Sequence, residues 1–345
     1  MAKTESHDSP SRNGTCVGFR TVFRYFGLYT EKMANSITSI RCCIAACLAI
    51  VLLAGTAHAA EPSGDTAPGL TAKYAELRGQ LKDNQFRKPI VLVSSETRDR
   101  VAGDMYALVD QPFATVAAAL KGSGDWCEIM ILHLNTKYCR ASHGAQGATL
   151  NVSIGKKHDQ PVDEAYRVVF AHDVTAQTAD FLQVRLNAEQ GPLSTRDYRI
   201  VLEAVPVEGG RTFLHLSYSY GFGTAGRVAM QVYLNTAGSN KVGFTVTGTQ
   251  PDGQRQHIGG MRGVVERNTM RYYLAIEAFL GSLSAPPQAR VEKRMRDWFA
   301  ATERFPRQLH ELEQDEYLNM KRKEYQRQQA TLPKEGANVQ APGAG

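Results

Sequence analysis

Between residues 148 and 221 apolar and polar positions alternate. Over 181–188, Leu182, Val184 and Leu186 fall on one side and Gln183, Arg185 and Asn187 on the other. This two-residue period predicts a strand with one buried and one wet face. The same pattern predicts strands over 149–154, 165–172, 196–206 and 211–220, joined by short links. Such links make the neighbours antiparallel, because parallel pairing needs crossovers of about a dozen residues or more. Strands at 90–94 and 101–110 precede this region. A helix then starts at Pro112 and ends at Gly122, with proline at its favoured first position, and a shorter helix follows near 125–132. A helix over 225–236 and a strand over 241–247 complete the stretch before the period changes.

At 260–283 the spacing becomes helical. Val265, Thr269, Tyr272, Ile276 and Phe279 recur every three or four residues, while Arg262, Glu266 and Arg271 fall on other faces. Gly259 and Gly260 break the chain before this helix, and Gly281, Ser284, Pro286 and Pro287 close it. Upstream, residues 61–69 read as a linker and 70–81 as an appended helix with Tyr74, Leu77 and Leu81 on one side. Downstream, 288–302 and 306–329 read as charged helices. Arg307, Glu311, Asp315 and Glu316 interleave there with Leu309, Leu312, Tyr317 and Leu318. Charge runs of this kind predict a solvated face, with packing on the domain or on a partner as the alternative. Residues 332–345 read as a flexible end.

Composition narrows the class. A chain of 345 residues that is 43% hydrophobic can bury a large core. The formal charge of +6 falls to +3 once residues 1–59 are removed, which gives no electrostatic reason to expect a nucleic-acid partner. Those residues read as an upstream extension followed, from Met33, by a secretory signal peptide. A polar region ends in Arg41, an apolar run covers 42–55, and Ala57-His58-Ala59 gives a small-x-small signal for cleavage before Ala60. The run is short of the roughly 20 apolar residues a membrane span needs, which sets an uncleaved N-terminal anchor behind cleavage as the alternative. The predicted location is therefore periplasmic or secreted. Cys16, Cys42, Cys43 and Cys47 lie in the leader, leaving Cys127 and Cys139. Two buried thiols would satisfy the sequence, but an even pair in an oxidising compartment favours a disulfide.

Several motifs invite chemistry. Residues 221–226, Gly-Phe-Gly-Thr-Ala-Gly, match the dinucleotide-binding G-x-G-x-x-G, but short strand links surround them instead of a βαβ unit. His133, His143, His158, His172, His215 and His257 show no metal-ligand spacing. Neither a cofactor nor a metal is expected. Cys127 beside His133 or His172 would make a nucleophile only if Cys139 left it reduced.

The order of elements carries a resemblance. Strand 104–109, then Pro112, Phe113, Val116 and Leu120, then Asp125 and Trp126, then antiparallel strands and the helix from Gly260 resemble the START-like (SRPBCC) superfamily. That superfamily includes lipid-transfer, polyketide cyclase-like and Bet v 1-like proteins. The resemblance implies an α+β helix-grip fold, a curved antiparallel sheet wrapped around a long C-terminal helix, here with an extra helical tail. It divides the chain into leader (1–59), linker and N-terminal helix (60–88), START-like domain (89–285), charged helical extension (286–330) and disordered tail (331–345). The inserted helix at 225–236 and the long tail depart from the pattern.

The resemblance further implies a cavity for a lipid or other hydrophobic small molecule, bound without catalysis. Candidate lining residues are Leu214, Leu216, Tyr218 and Tyr220 on a strand and Val265, Thr269, Tyr272 and Ile276 on the helix; all would serve equally as plain core. Arg185, His215, Arg262, Glu266 and Arg267 are candidate polar anchors, or structural ion-pair partners. A cyclase-like enzyme using a histidine, tyrosine or acidic residue, and an interaction module with a filled core, are the competing readings. The C-terminal helices are a candidate contact with a membrane surface or a protein.

Overall fold

The computed structural model describes residues 66–235 and 241–331. The readings placed on 1–59, on the start of the linker and on the tail beyond 331 lie outside the described residues. Helix α1 (Ala67–Lys82) opens at Thr66, whose hydroxyl accepts the Gly69 N–H. Strands β1 (Ile90–Glu96) and β2 (Arg100–Val109) form a hairpin, followed by the short helices α2 (Phe113–Leu120) and α3 (Ser123–Met130). Then come β3 (Thr136–Gly144), β4 (Gly147–Ile154), β5 (Tyr166–Gln177), β6 (Leu182–Gln190), β7 (Thr195–Val207) and β8 (Arg211–Phe222). Helix α4 (Thr224–Asn235) and a small hairpin, β9 (Val246–Thr249) and β10 (Arg255–His257), lead to the long helix α5 (Gly260–Gly281). Helices α6 (Pro287–Glu303), α7 (Pro306–Leu309) and α8 (Gln314–Ala330) end the described chain.

Eight strands make one antiparallel sheet in the order β1-β2-β8-β7-β6-β5-β4-β3. Alternation sorts its side chains. Met105, Leu150, Phe170, Val184, Leu202 and Leu216 face inward and share the main core with α5. Val91, Tyr106, Val205 and Phe213 face outward, where Leu70, Tyr74, Leu77 and Leu81 of α1 cover them. Helix α1 is thus a lid on the sheet's outer face.

Four details differ from the pattern reading. Strand β3 was not expected, because its sequence offers little apolar alternation. Residues 241–245 are not a strand; the Phe244 and Thr245 N–H groups donate to the Glu266 carboxylate instead of to a neighbouring strand. Gln183, expected on a wet face, is buried and donates to Glu203. The tail helix is broken into α7 and α8, and it is not solvated. Tyr317, Leu318 and Met320 are buried, and Tyr317 stacks on Trp298 with centroids 5.0 Å apart.

Helix α8 also buries charge. Glu324 lies between Lys137 (3.1 Å) and Lys321 (2.7 Å), all three side chains without solvent exposure. Both ammonium groups also donate to main-chain carbonyls, Lys137 to Leu134 and Lys321 to His133 and Thr136. The Gln328 side chain accepts the Cys139 N–H at 3.1 Å, so α8 caps the outer edge of β3. Among the described residues, no helix is long and apolar enough to cross a membrane.

Candidate ligand-binding site

Leu214, Leu216, Tyr218 and Tyr220 point inward from β8, and α5 lies over them and over β2. Contact is tightest at Gly103, where a Cβ would stand 2.4 Å from the Thr269 hydroxyl and 3.5 Å from Val265. Val265 and Thr269 are completely buried and Ile276 nearly so. This part of the interface is closed by direct packing.

One part is looser. Tyr272 faces the sheet, 5.3 Å from Tyr218 and 5.0 Å from His133 between ring centroids, yet it keeps part of its surface exposed, as does Asn268 one turn earlier. Tyr198 joins them, stacked on Tyr220 at 5.2 Å. Burial holds the phenols protonated: it pushes Tyr198 up to about 12 and raises Tyr218 and Tyr272 well above their ordinary value. Burial, then the neighbouring Arg271 and Lys321, hold His133 well below the usual histidine range. Its Nδ1 accepts the Asn135 N–H at 3.2 Å, so the neutral ring carries its proton on Nε2. The looser region is therefore an uncharged, amphipathic aromatic cluster.

The expected polar anchors stand elsewhere. Arg185 and His215 occupy outward positions, on β6 opposite Asp173 and Val201 and on β8 opposite Tyr106, because each neighbours inward-facing residues in a period of two. They do not line the interior. His215 bridges Glu203 (2.8 Å) and Asp104 (3.0 Å). Glu266 is completely buried and accepts from the Ser94 hydroxyl, the Phe244 and Thr245 N–H groups and the Thr245 hydroxyl. Arg262 donates to Ser94, and Arg267 to the Val242 carbonyl. Glu266 and Arg267 clamp 242–245 to α5, and Arg262 ties α5 to β1, so none is an unpaired group turned to an open cavity.

Tyr198, Asn268 and His133 were missed from sequence. Tyr198 was legible, since it continues the inward series of Ile200, Leu202 and Ala204; His133 sits in a turn where no period applies. Cys127 and Cys139 form a disulfide between α3 and β3, so neither is a free nucleophile. The glycine-rich segment ends a strand antiparallel to both neighbours, and Gly226 abuts the Ser194 carbonyl, where a Cβ would stand at 2.9 Å. Gly226 serves close packing, and the segment is not a βαβ phosphate site. Among the described residues no cluster of three or more His, Cys, Asp or Glu is placed to hold a metal.

No family model matches the chain, and no curated protein does. Solved structures similar to it include a norcoclaurine synthase point mutant from Thalictrum flavum, in complex with a transition state analogue. That match has 11% identity and a TM-score of 0.30, and covers 41% of this chain and 86% of the other. Others are a conserved protein from Geobacillus kaustophilus (14% identity, TM-score 0.28, 40% and 85% covered) and human StAR-related lipid transfer protein 5 (10%, 0.27, 46% and 81%). Likenesses at this level carry nothing about ligand or activity. The chain's own topology, in which β2, two short helices, an antiparallel meander and one long helix laid across the sheet follow in order, is the helix-grip fold that the START-like resemblance implied.

Proposed function

We propose that an exported form of this chain binds a lipid or other hydrophobic small molecule, non-covalently, between α5 and the sheet. One observation carries the reading: Tyr272 and Asn268 stay partly exposed although they face a sheet that is otherwise sealed against α5. Tyr218, Tyr220, Tyr198 and Tyr272 would supply flat apolar walls with neutral hydroxyls, and Leu214, Leu216 and Ile276 the aliphatic floor. Val265 and Thr269 would close the far end. Buried tyrosines held protonated and a histidine held neutral do not titrate near pH 7, which supports binding over acid–base catalysis. The disulfide supports an oxidising compartment. Close packing at Gly103 favours, as a second reading, an interaction module whose core fills itself.

The test is native mass spectrometry of the chain from Ala60, purified from the periplasm, with extraction of anything bound. A stoichiometric lipid-like adduct, lost in a Tyr272→Trp variant that fills the looser region, is the expected result. A clean apo mass that no lipid in a panel shifts would overturn the binding reading.

A further inference from the structure

A basic cluster flanks the looser region of the α5–sheet interface. On α5, Arg267 and Arg271 each precede by one position the partly exposed Asn268 and Tyr272, so a cationic stripe runs alongside the opening. Arg271 meets the Glu311 carboxylate at 2.9 Å, and two lysines meet the same group. Lys157, from the loop after β4, stands at 2.5 Å, and Lys241, just ahead of the segment clamped to α5, at 3.5 Å. Three positive charges thus share one negative. Glu303 and Glu313, on the flanking segments, turn to the His310 ring instead.

The cluster lies mostly out of water and still reaches it. The Arg271 and Glu311 side chains are 2% and 10% exposed, those of Lys157 and Lys241 26% and 23%. Burial, then repulsion from Arg271, lowers the Lys157 pKa below the ordinary lysine value; Glu311 offsets this only in part, and Arg267 adds to it. A surplus of positive charge at a half-buried site is stabilised by an anion. The cluster is also tied to the aromatic residues. Asn135 exchanges hydrogen bonds of 2.7 and 2.6 Å with Gly155 at the start of the Lys157 loop, and its own N–H donates to His133, whose ring stacks on Tyr272.

We propose that the ligand of the α5–sheet interface is an amphiphile with an anionic head, a carboxylate or phosphate group seated against Lys157, Lys241 and Arg271, and an apolar chain lying on Tyr272 and Tyr218. The inference rests on the binding reading above and adds the charge of the ligand. Ammonium and guanidinium groups give an oxygen anion charge-assisted hydrogen bonds, and the two lysines offer them where part of the head stays hydrated. The protonated phenols and the neutral His133 carry no charge, so they suit the chain and not the head. A neutral lipid would leave the surplus of positive charge unmet.

The experiment is calorimetric titration of the purified chain, below the micellar concentration of each probe. Decanoate and decyl phosphate are compared with 1-decanol, which has the tail without the charge, and with acetate and inorganic phosphate, which have the head without the tail. Decanoate or decyl phosphate should bind saturably and at least about tenfold more tightly than 1-decanol, a preference that added salt reduces. The double variant Lys157→Gln, Lys241→Gln, which leaves the Arg271–Glu311 pair in place, should lose most of that preference, and Lys157→Arg should keep it. Equal binding of decanoate and 1-decanol, or a full preference in the double variant, would overturn the anionic head and leave the binding reading standing. Failure of every tailed probe to bind would take the binding reading down as well. Saturable binding of acetate or phosphate that a tail does not tighten would give the cluster to a free anion and overturn the amphiphile.

Discussion

His215 shows how much a single side chain can carry on the face that α5 never touches. Burial alone would lower its pKa, but hydrogen bonds to Asp104 and Glu203 outweigh that and raise it to about 9. Its ring stacks on Tyr106 at 4.5 Å, and Glu203 extends the network through Gln183 to Thr175, so five strands share it. A folded pKa above the ordinary 6.5 means that this stabilisation is complete below pH 6.5 and is lost as pH rises through about 9. Denaturant melts between pH 6 and 9.5 should show a decline on the order of 3 kcal/mol that is absent in His215→Gln. Period two already places His215 opposite Leu214 and Leu216; what the sequence could not supply was the pair of carboxylates from two other strands. Gly103 is similar: nothing nearby in the sequence says that Thr269 will press against it. Gly103→Ala should lower stability by about 1–3 kcal/mol, as overpacking does, and Thr269→Ala should recover most of that loss in thermal melts of the double variant.

Among elements, the legible ones kept one period over most of their length. Helix α5 is bounded by glycines, and β5 to β8 alternate apart from the irregularities after Val174 and Arg196, so their existence and pairing sense follow from spacing. Strand β3 does not: facing α3 across a disulfide, its inward positions are Cys139, Ala141 and His143, too small or polar to give an apolar stripe. Helix α8 misleads for a different reason. A charge run implies solvent only when the charges are unpaired, and Lys137, Lys321 and Glu324 satisfy one another inside the protein. Glu324→Ala should cost about 3–5 kcal/mol in chemical denaturation, because it leaves two buried ammonium groups uncompensated. Replacing all three by residues of similar size, Lys137→Met, Lys321→Met and Glu324→Leu, should cost far less; equal losses would mean that the site stabilises through shape and not charge.

At the scale of the molecule, the order of elements identified the helix-grip fold, but no local pattern could show which edges and faces the terminal helices cover. Helix α1 lies on the outer face, and α8 closes the β3 edge, while among the described residues no strand pairs with the outer side of β1. The capping by α8 also sets a timetable. Its residues leave the ribosome long after Cys139 and Lys137, yet they supply the partners those two residues use. A chain delivered amino terminus first thus leaves Cys139 and Lys137 without these partners until α8 has emerged, and a nascent chain halted before Gln314 lacks the cap on the β3 edge.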